Sequence, residues 1–180
     1  MATLYESYTT GDGNYSVLYG ANWYGQTFTP AVSHTITSVK IYLRRVGSPG
    51  TITLHLRATS ANLPTGADIA SGTTSGNTLP TTGSELREIT LDVGVALTAG
   101  TKYAWFLSLV GDTSNKIFLF DNETTPGYAG GAWVYSGDSG VTWGTSAGVD
   151  YLFEEGGDPA GWANIAKVSG VAAAAIAKVD

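Results

Sequence analysis

The chain of 180 residues contains no cysteine, which excludes disulfides and thiolate-metal sites. That absence does not place the protein inside a cell, because one core of this size is stable without crosslinks. Histidine is nearly missing as well: His34 and His55 are the two. A nucleophilic triad needs a histidine with an acid and a nucleophile beside it, and the sequence sets neither histidine in such company. Glu154 and Glu155 do not replace it, since neighbours on a strand face opposite sides and cannot flank one glycosidic bond. The sequence therefore points away from an enzyme. Basic residues are scarce, 9 Lys and Arg against 15 Asp and Glu for a formal net charge of -6, which disfavours nucleic acid as a partner. No run of about eighteen apolar residues occurs, so membrane insertion is not expected. The N-terminus lacks a charged-then-apolar leader, and work outside a cell is expected to follow release by lysis, assembly into a particle, or a route the sequence does not show.

What the chain does have is glycine, serine, threonine and rings. It carries 24 Gly, 5 Trp and 10 Tyr, with charged residues at 13%, a composition typical of extracellular β-sandwiches and virion proteins. Strict alternation marks its best segments. In residues 38–44, Val39, Ile41 and Leu43 point one way; in residues 51–57, Ile52, Leu54 and Leu56 do, as half-buried strands require. With Gly47-Ser48-Pro49-Gly50 as a tight loop, hairpin pairing would set Arg44 beside Thr53, Tyr42 beside His55 and Lys40 beside Arg57. Lys40, Tyr42, Arg44, His55 and Arg57 would then share a basic outer face. Residues 85–93 alternate again, with Ile89, Leu91 and Val93 expected inward. Residues 101–110 are the most apolar stretch and fit a central strand covered on both faces. Before Pro159 no segment shows helical period, and about ten strands are expected, as in a sandwich or jelly roll. The fold class is all-β: a jelly-roll-like antiparallel β-sandwich over residues 1–156, followed by an assembly tail over residues 157–180.

Ser136, Asp138, Gly140, Thr142 and Trp143 match the Asp-box pattern Ser-x-Asp-x-Gly-x-Thr-Trp of sialidases and other glycan-handling β proteins. The spacing has a local cause: the carboxylate accepts N–H groups across a hairpin turn, glycine takes a positive φ and tryptophan packs beneath. This makes the motif a structural hairpin rather than a catalytic device. Its aromatic neighbours Tyr128, Trp133 and Tyr135, with Trp23 and Tyr24, are the glycan-binding candidates, because the apolar C–H face of a sugar matches the negative face of a ring. Asp121, Asn122 and Asp138 would orient sugar hydroxyls. Jelly rolls often hold calcium on hard oxygen ligands where first and last strands meet, and Glu6, Asp150, Glu154 and Asp158 are the candidates for Ca2+. Without a dense Asp-x-Asp-x-Asp loop, no cofactor is required.

Residues 162–180 carry a repeat: Ile165-Ala166-Lys167-Val168 returns eleven residues later as Ile176-Ala177-Lys178-Val179. Such an apolar segment needs cover. It fits two short strands broken at Ser169-Gly170 and added to a neighbouring sheet edge, or an Ala-rich helix over residues 171–179. Ile165, Val168, Val171, Ile176 and Val179 are its expected contacts.

Several stretches resemble a known type of module. Gln26-Thr27-Phe28-Thr29, residues 36–43, Val46-Gly47-Ser48-Pro49-Gly50, Leu97-Thr98-Ala99-Gly100-Thr101-Lys102-Tyr103 and Asp150-Tyr151-Leu152-Phe153-Glu154 look like the carbohydrate-binding-like jelly roll of phage and environmental viral structural proteins. The tail resembles the Ile-Ala-Lys-Val-Asn-Gly-Val-Ala repeats of such proteins, with Ser169 in place of the Asn. The resemblance implies a virion structural protein such as a capsid decoration, spike or tail-fibre component. It implies partners in further copies of itself, a trimer by analogy with fibres, in other virion proteins and in host or surface glycans. The alternative is a carbohydrate-binding module of a secreted or cell-surface protein.

Overall fold

The structure, a computed structural model, describes residues 2–11 and 13–161. The tail contacts Ile165, Val168, Val171, Ile176 and Val179 lie outside these residues. The described residues form thirteen strands in two antiparallel sheets: β1 (Thr3–Tyr8), β2 (Asn14–Leu18), β3 (Trp23–Phe28), β4 (His34–Val46), β5 (Thr51–Ser60), β6 (Leu63–Ser75), β7 (Glu85–Leu97), β8 (Tyr103–Ser108), β9 (Lys116–Asn122), β10 (Trp133–Ser136), β11 (Gly144–Ser146), β12 (Asp150–Tyr151) and β13 (Phe153–Pro159). One sheet has seven strands in the order β1-β13-β4-β9-β12, with β2 on β9 and β7 on β4; the other has six, β11-β10-β3-β8-β5-β6. This is the expected all-β, jelly-roll-like sandwich. The strands beyond the expected ten are β2, β11 and a break at Leu152, where the chain bonds to both β9 and β4 through Leu152 N–H to Phe120 O and Tyr42 N–H to Leu152 O. β13 runs across residue 156 as far as Pro159.

Alternation assigned most inward faces well. Val39, Ile41, Leu43, Ile52, Leu54, Leu56 and Ile89 are fully buried, and Leu91 nearly so. They meet Phe28, Trp105, Leu107, Tyr151 and Phe153 in one core between the sheets. The strand β8 is central, between β3 and β5, and five of its six residues are buried.

Two expectations are corrected. Strands β4 and β5 are not a hairpin: β4 pairs with β7, β9 and β13, whereas β5 pairs with β6 and β8. Apolar faces of two strands can share a core equally well by lying opposite one another as by lying side by side. The loop makes the choice. Ser48 N–H donates to Asn115 Oδ1 (2.8 Å), and Gly50 N–H to Asn77 Oδ1 (2.9 Å), so the loop is held across the end of the sandwich and carries the chain from one sheet to the other. Gly47 and Gly50, at φ 66° and 81°, supply the left-handed turns this crossing uses. Lys40, Tyr42 and Arg44 therefore lie on one sheet and His55 and Arg57 on the other, and the basic face does not form. The second correction is Val93, which is 59% exposed. The register along β4 jumps from Ile36↔Val95 to Ser38↔Thr90, so Val93 sits in a bulge where alternation no longer fixes its side.

Candidate functional site

The Asp box forms the turn between β10 and β11. Asp138 Oδ1 accepts the Thr142 N–H (2.8 Å) and the Ser136 hydroxyl (2.7 Å), Oδ2 accepts the Thr142 hydroxyl (2.7 Å), and Ser136 Oγ accepts the Gly140 N–H (2.8 Å). These bonds, led by those from Thr142, hold the Asp138 carboxyl at about 2. Ser139 and Gly140 take φ values of 59° and 81°, and Ser139 N–H donates to Ala21 O (3.0 Å), tying the turn to the loop before β3. The motif is thus a rigid strut. Trp143 meets Phe106 edge to face (4.6 Å between centroids) and Trp23 (6.5 Å).

Those contacts lie on the outer face of the six-stranded sheet. Opposed residues of an antiparallel pair share a face, so the pairings His55↔Phe106 and Thr53↔Ser108 set His55, Phe106, Thr53 and Ser108 on that side. Phe106 points away from the core between the sheets yet is fully buried. Nearly parallel rings cover it: His55 (4.8 Å, 10°) and Trp23 (5.7 Å, 16°), themselves 5.3 Å apart. The Arg57 guanidinium adds a cation over the Phe106 ring at 5.0 Å. Beside the cluster opens a cleft of about 400 Å³, lined by Trp23, Thr51, Thr53, Ser108, Val110 and Ser139 among others. Val110 is 93% exposed on its rim.

A hydrogen-bonded chain runs along this face. Asp68 Oδ2 lies 2.7 Å from His55 Nδ1, Arg57 Nε donates to Asp68 Oδ1 (2.6 Å), and His55 Nε2 lies 2.9 Å from Ser108 Oγ. Desolvation pushes the Asp68 carboxyl up, but the bonds and charges of His55 and Arg57 outweigh it and hold it below the ordinary range. Strand alternation does not reveal this chain. It depends on the register shift between Leu56↔Ala70 and Ala58↔Thr65, which loops Asp68 out beside Arg57 and His55.

The five glycan candidates are divided among three places. Trp23 stands on the outer face. Tyr24, Trp133 and Tyr135 stack in series along the β3–β10 pair (6.1 Å and 4.5 Å between centroids). Tyr24 and Trp133 pack against the core, Trp133 Nε1 donates to the Tyr151 hydroxyl (2.7 Å), and Tyr135 is 40% exposed. Tyr128 abuts Phe153 edge to face (5.2 Å) and donates to Glu6 Oε2 (3.2 Å); burial, with the Glu6 charge beside it, pushes its hydroxyl well up. Of the polar residues expected to orient sugar, Asp138 is spent on the turn, and Asn122 donates to Tyr8 and to Thr10 O. Asp121 is buried.

The calcium candidates are not gathered. Glu6 accepts the Ala31 N–H and the Tyr128 hydroxyl. Asp150 accepts from Gln26 Nε2 (2.6 Å) and Tyr128 N–H (2.9 Å). Glu154 pairs with Lys40 at 3.4 Å, and Asp158 lies opposite Thr35 on β4. Among the described residues, no three His, Cys, Asp or Glu side chains converge on a point that could hold a metal. On the outer face of the seven-stranded sheet, Arg44 lies over the rings of Phe118 (4.3 Å) and Tyr15 (5.5 Å). His34, fully buried as a side chain, has Nε2 2.7 Å from Glu155 Oε1 and stacks on Tyr5. Burial raises the Glu155 carboxyl to about 7 against the opposing bond from His34.

The chain matches no protein-family model, and no curated protein matches it.

Proposed function

We propose that this chain is a structural component of a virion, such as a capsid decoration, spike or tail-fibre part. In this reading the sandwich faces outward and contacts glycans, and residues 162–180 join it to further copies of itself, a trimer by analogy with fibres, or to other particle proteins. The observation that carries the reading is the outer face of the six-stranded sheet, where Trp23, Phe106 and Trp143 form a ring cluster beside a hydroxyl-lined cleft. Apolar ring surface next to a few placed polar groups is the combination that sugars need. The Asp box supports it by bracing Trp23 and Trp143 from behind. The assembly half is supported by the repeated apolar tail, which needs cover, and the glycine- and threonine-rich, weakly charged composition supports a virion or extracellular setting.

Light scattering and a glycan array test the two halves together. The full chain is expected as a defined oligomer, and a chain ending at residue 161 as a monomer that keeps its glycan hits. Trp23→Ala is expected to lose those hits. A monomeric full chain with hits intact would replace the virion reading by a free carbohydrate-binding module; an array without hits would remove the glycan half.

A further inference from the structure

The cleft beside Trp23 has a wall whose hydrogen-bonding character is set by its neighbours on the same face. Asp68, a carboxylate, has only acceptors to offer, so His55 Nδ1, 2.7 Å from it, carries the ring hydrogen. In the neutral ring Nε2 then holds the lone pair. Ser108 Oγ, 2.9 Å away, gives its one hydrogen to that lone pair. A serine hydroxyl ordinarily turns to donate or to accept as its partner requires; beside the neutral ring its hydrogen is committed and only lone pairs remain for the cleft.

We infer that this cleft is a subsite for a neutral saccharide, in which Trp23 covers the C–H groups of a sugar ring and Ser108, held as an acceptor by His55 and Asp68, takes a sugar hydroxyl hydrogen. The inference rests on the glycan-binding reading above and names the class of ligand and the residue that selects it. A carboxylate, sulfate or ether oxygen at that position would meet the lone pairs of Ser108 and be disfavoured, whereas a free hydroxyl can always donate. The nearby cation, Arg57, is paired through Nε with Asp68 (2.6 Å) and lies over the Phe106 ring, so the Asp68 carboxylate offsets its charge beside the wall. Thr51, Thr53 and Ser139 line the same cleft and supply hydroxyls for the remaining sugar oxygens. The net charge of -6 opposes acidic glycans further.

Ser108, His55 and Asp68 also stand in the order of nucleophile, base and orienting acid. Ser108, however, lies in the β8 ladder opposite Thr53, on a pleated surface. An acyl-transfer nucleophile is set on a turn that aims backbone N–H groups at the developing oxyanion. The arrangement suits recognition rather than bond cleavage.

The test follows the Trp23 indole N–H resonance while methyl glucoside, galactoside, mannoside and N-acetylglucosaminide are titrated into the protein, each beside its monodeoxyfluoro analogues, in which fluorine accepts weakly but cannot donate. At least one glycoside is expected to shift Trp23, and its fluoro analogue at one ring position to bind about tenfold more weakly. Ser108→Ala, with an unchanged near-ultraviolet circular dichroism spectrum, is expected to erase that difference, a readout that a merely structural serine would not move. Equal binding of every fluoro analogue at Trp23 would overturn the acceptor assignment and leave glycan binding standing. Failure of all four glycosides to shift Trp23 would overturn the subsite itself, and array hits surviving Trp23→Ala would place glycan binding elsewhere. Hydrolysis of p-nitrophenyl acetate that disappears in Ser108→Ala would also overturn the inference, in favour of a catalytic triad.

Discussion

Glu155 and Asp138 answer to acid in opposite ways, for reasons visible at single atoms. Glu155 is fully buried, and burial lifts it from 4.5 to about 7. A carboxyl raised in the folded state adds stability that is complete below its unfolded value and is lost as the pH rises through the folded one. Glu155→Gln is therefore expected to flatten the fall in melting temperature between pH 4.5 and above 7, a difference on the order of 3 kcal/mol, measured by calorimetry across that range. A melting temperature that falls as steeply in the variant would show that Glu155 is not the titrating group. Asp138, held at about 2 by its turn, contributes above the ordinary aspartate range and stops contributing only as the pH falls towards its own value. The Asp-box residues were legible in the sequence because every bond in the motif spans four residues or fewer. The partnership of His55 with Asp68 and Ser108 was not, since it joins residues 13 and 53 positions apart through a bulge that alternation cannot locate.

At the level of strands, the sequence told which side of β4 and β5 faces the core but not which strands lie beside them. Period-two alternation reports burial of a face, and the ladder hydrogen bonds that choose a neighbour are the same for every residue type. Polar residues inside the sandwich carry more of that information. Gln26 on β3 donates to Asp150 Oδ1 (2.6 Å) and accepts the Tyr151 N–H (3.1 Å) on β12, linking the six-stranded sheet to the seven-stranded one through fully buried atoms. Gln26→Ala removes both bonds and strands two buried groups, which is expected to cost about 2–3 kcal/mol. Urea unfolding should show the midpoint falling with an unchanged slope; a midpoint within error of the native one would mean that water replaces the amide without loss.

Across the whole molecule, most packing joins residues distant in sequence: β1 pairs with β13, β2 with β9 and β3 with β10. Such non-local pairing slows folding, because loop closure is paid before the contacts that reward it. Refolding of the chain ending at residue 161 is expected on the scale of milliseconds to seconds, and stopped-flow fluorescence of its tryptophans would show microsecond recovery if local structure dominated. The strand β4 makes the point most sharply. It takes β7 along one side and both β13 and β9 along the other, so its hydrogen bonds are incomplete until residues 153–159 are present. During synthesis, an open β4 edge is a template for the edge of any neighbouring nascent chain. Closing it falls to β13, which is made immediately before the repeat-bearing residues 162–180. The central strand of the seven-stranded sheet thus waits, through most of the chain's synthesis, for a partner encoded more than a hundred residues later.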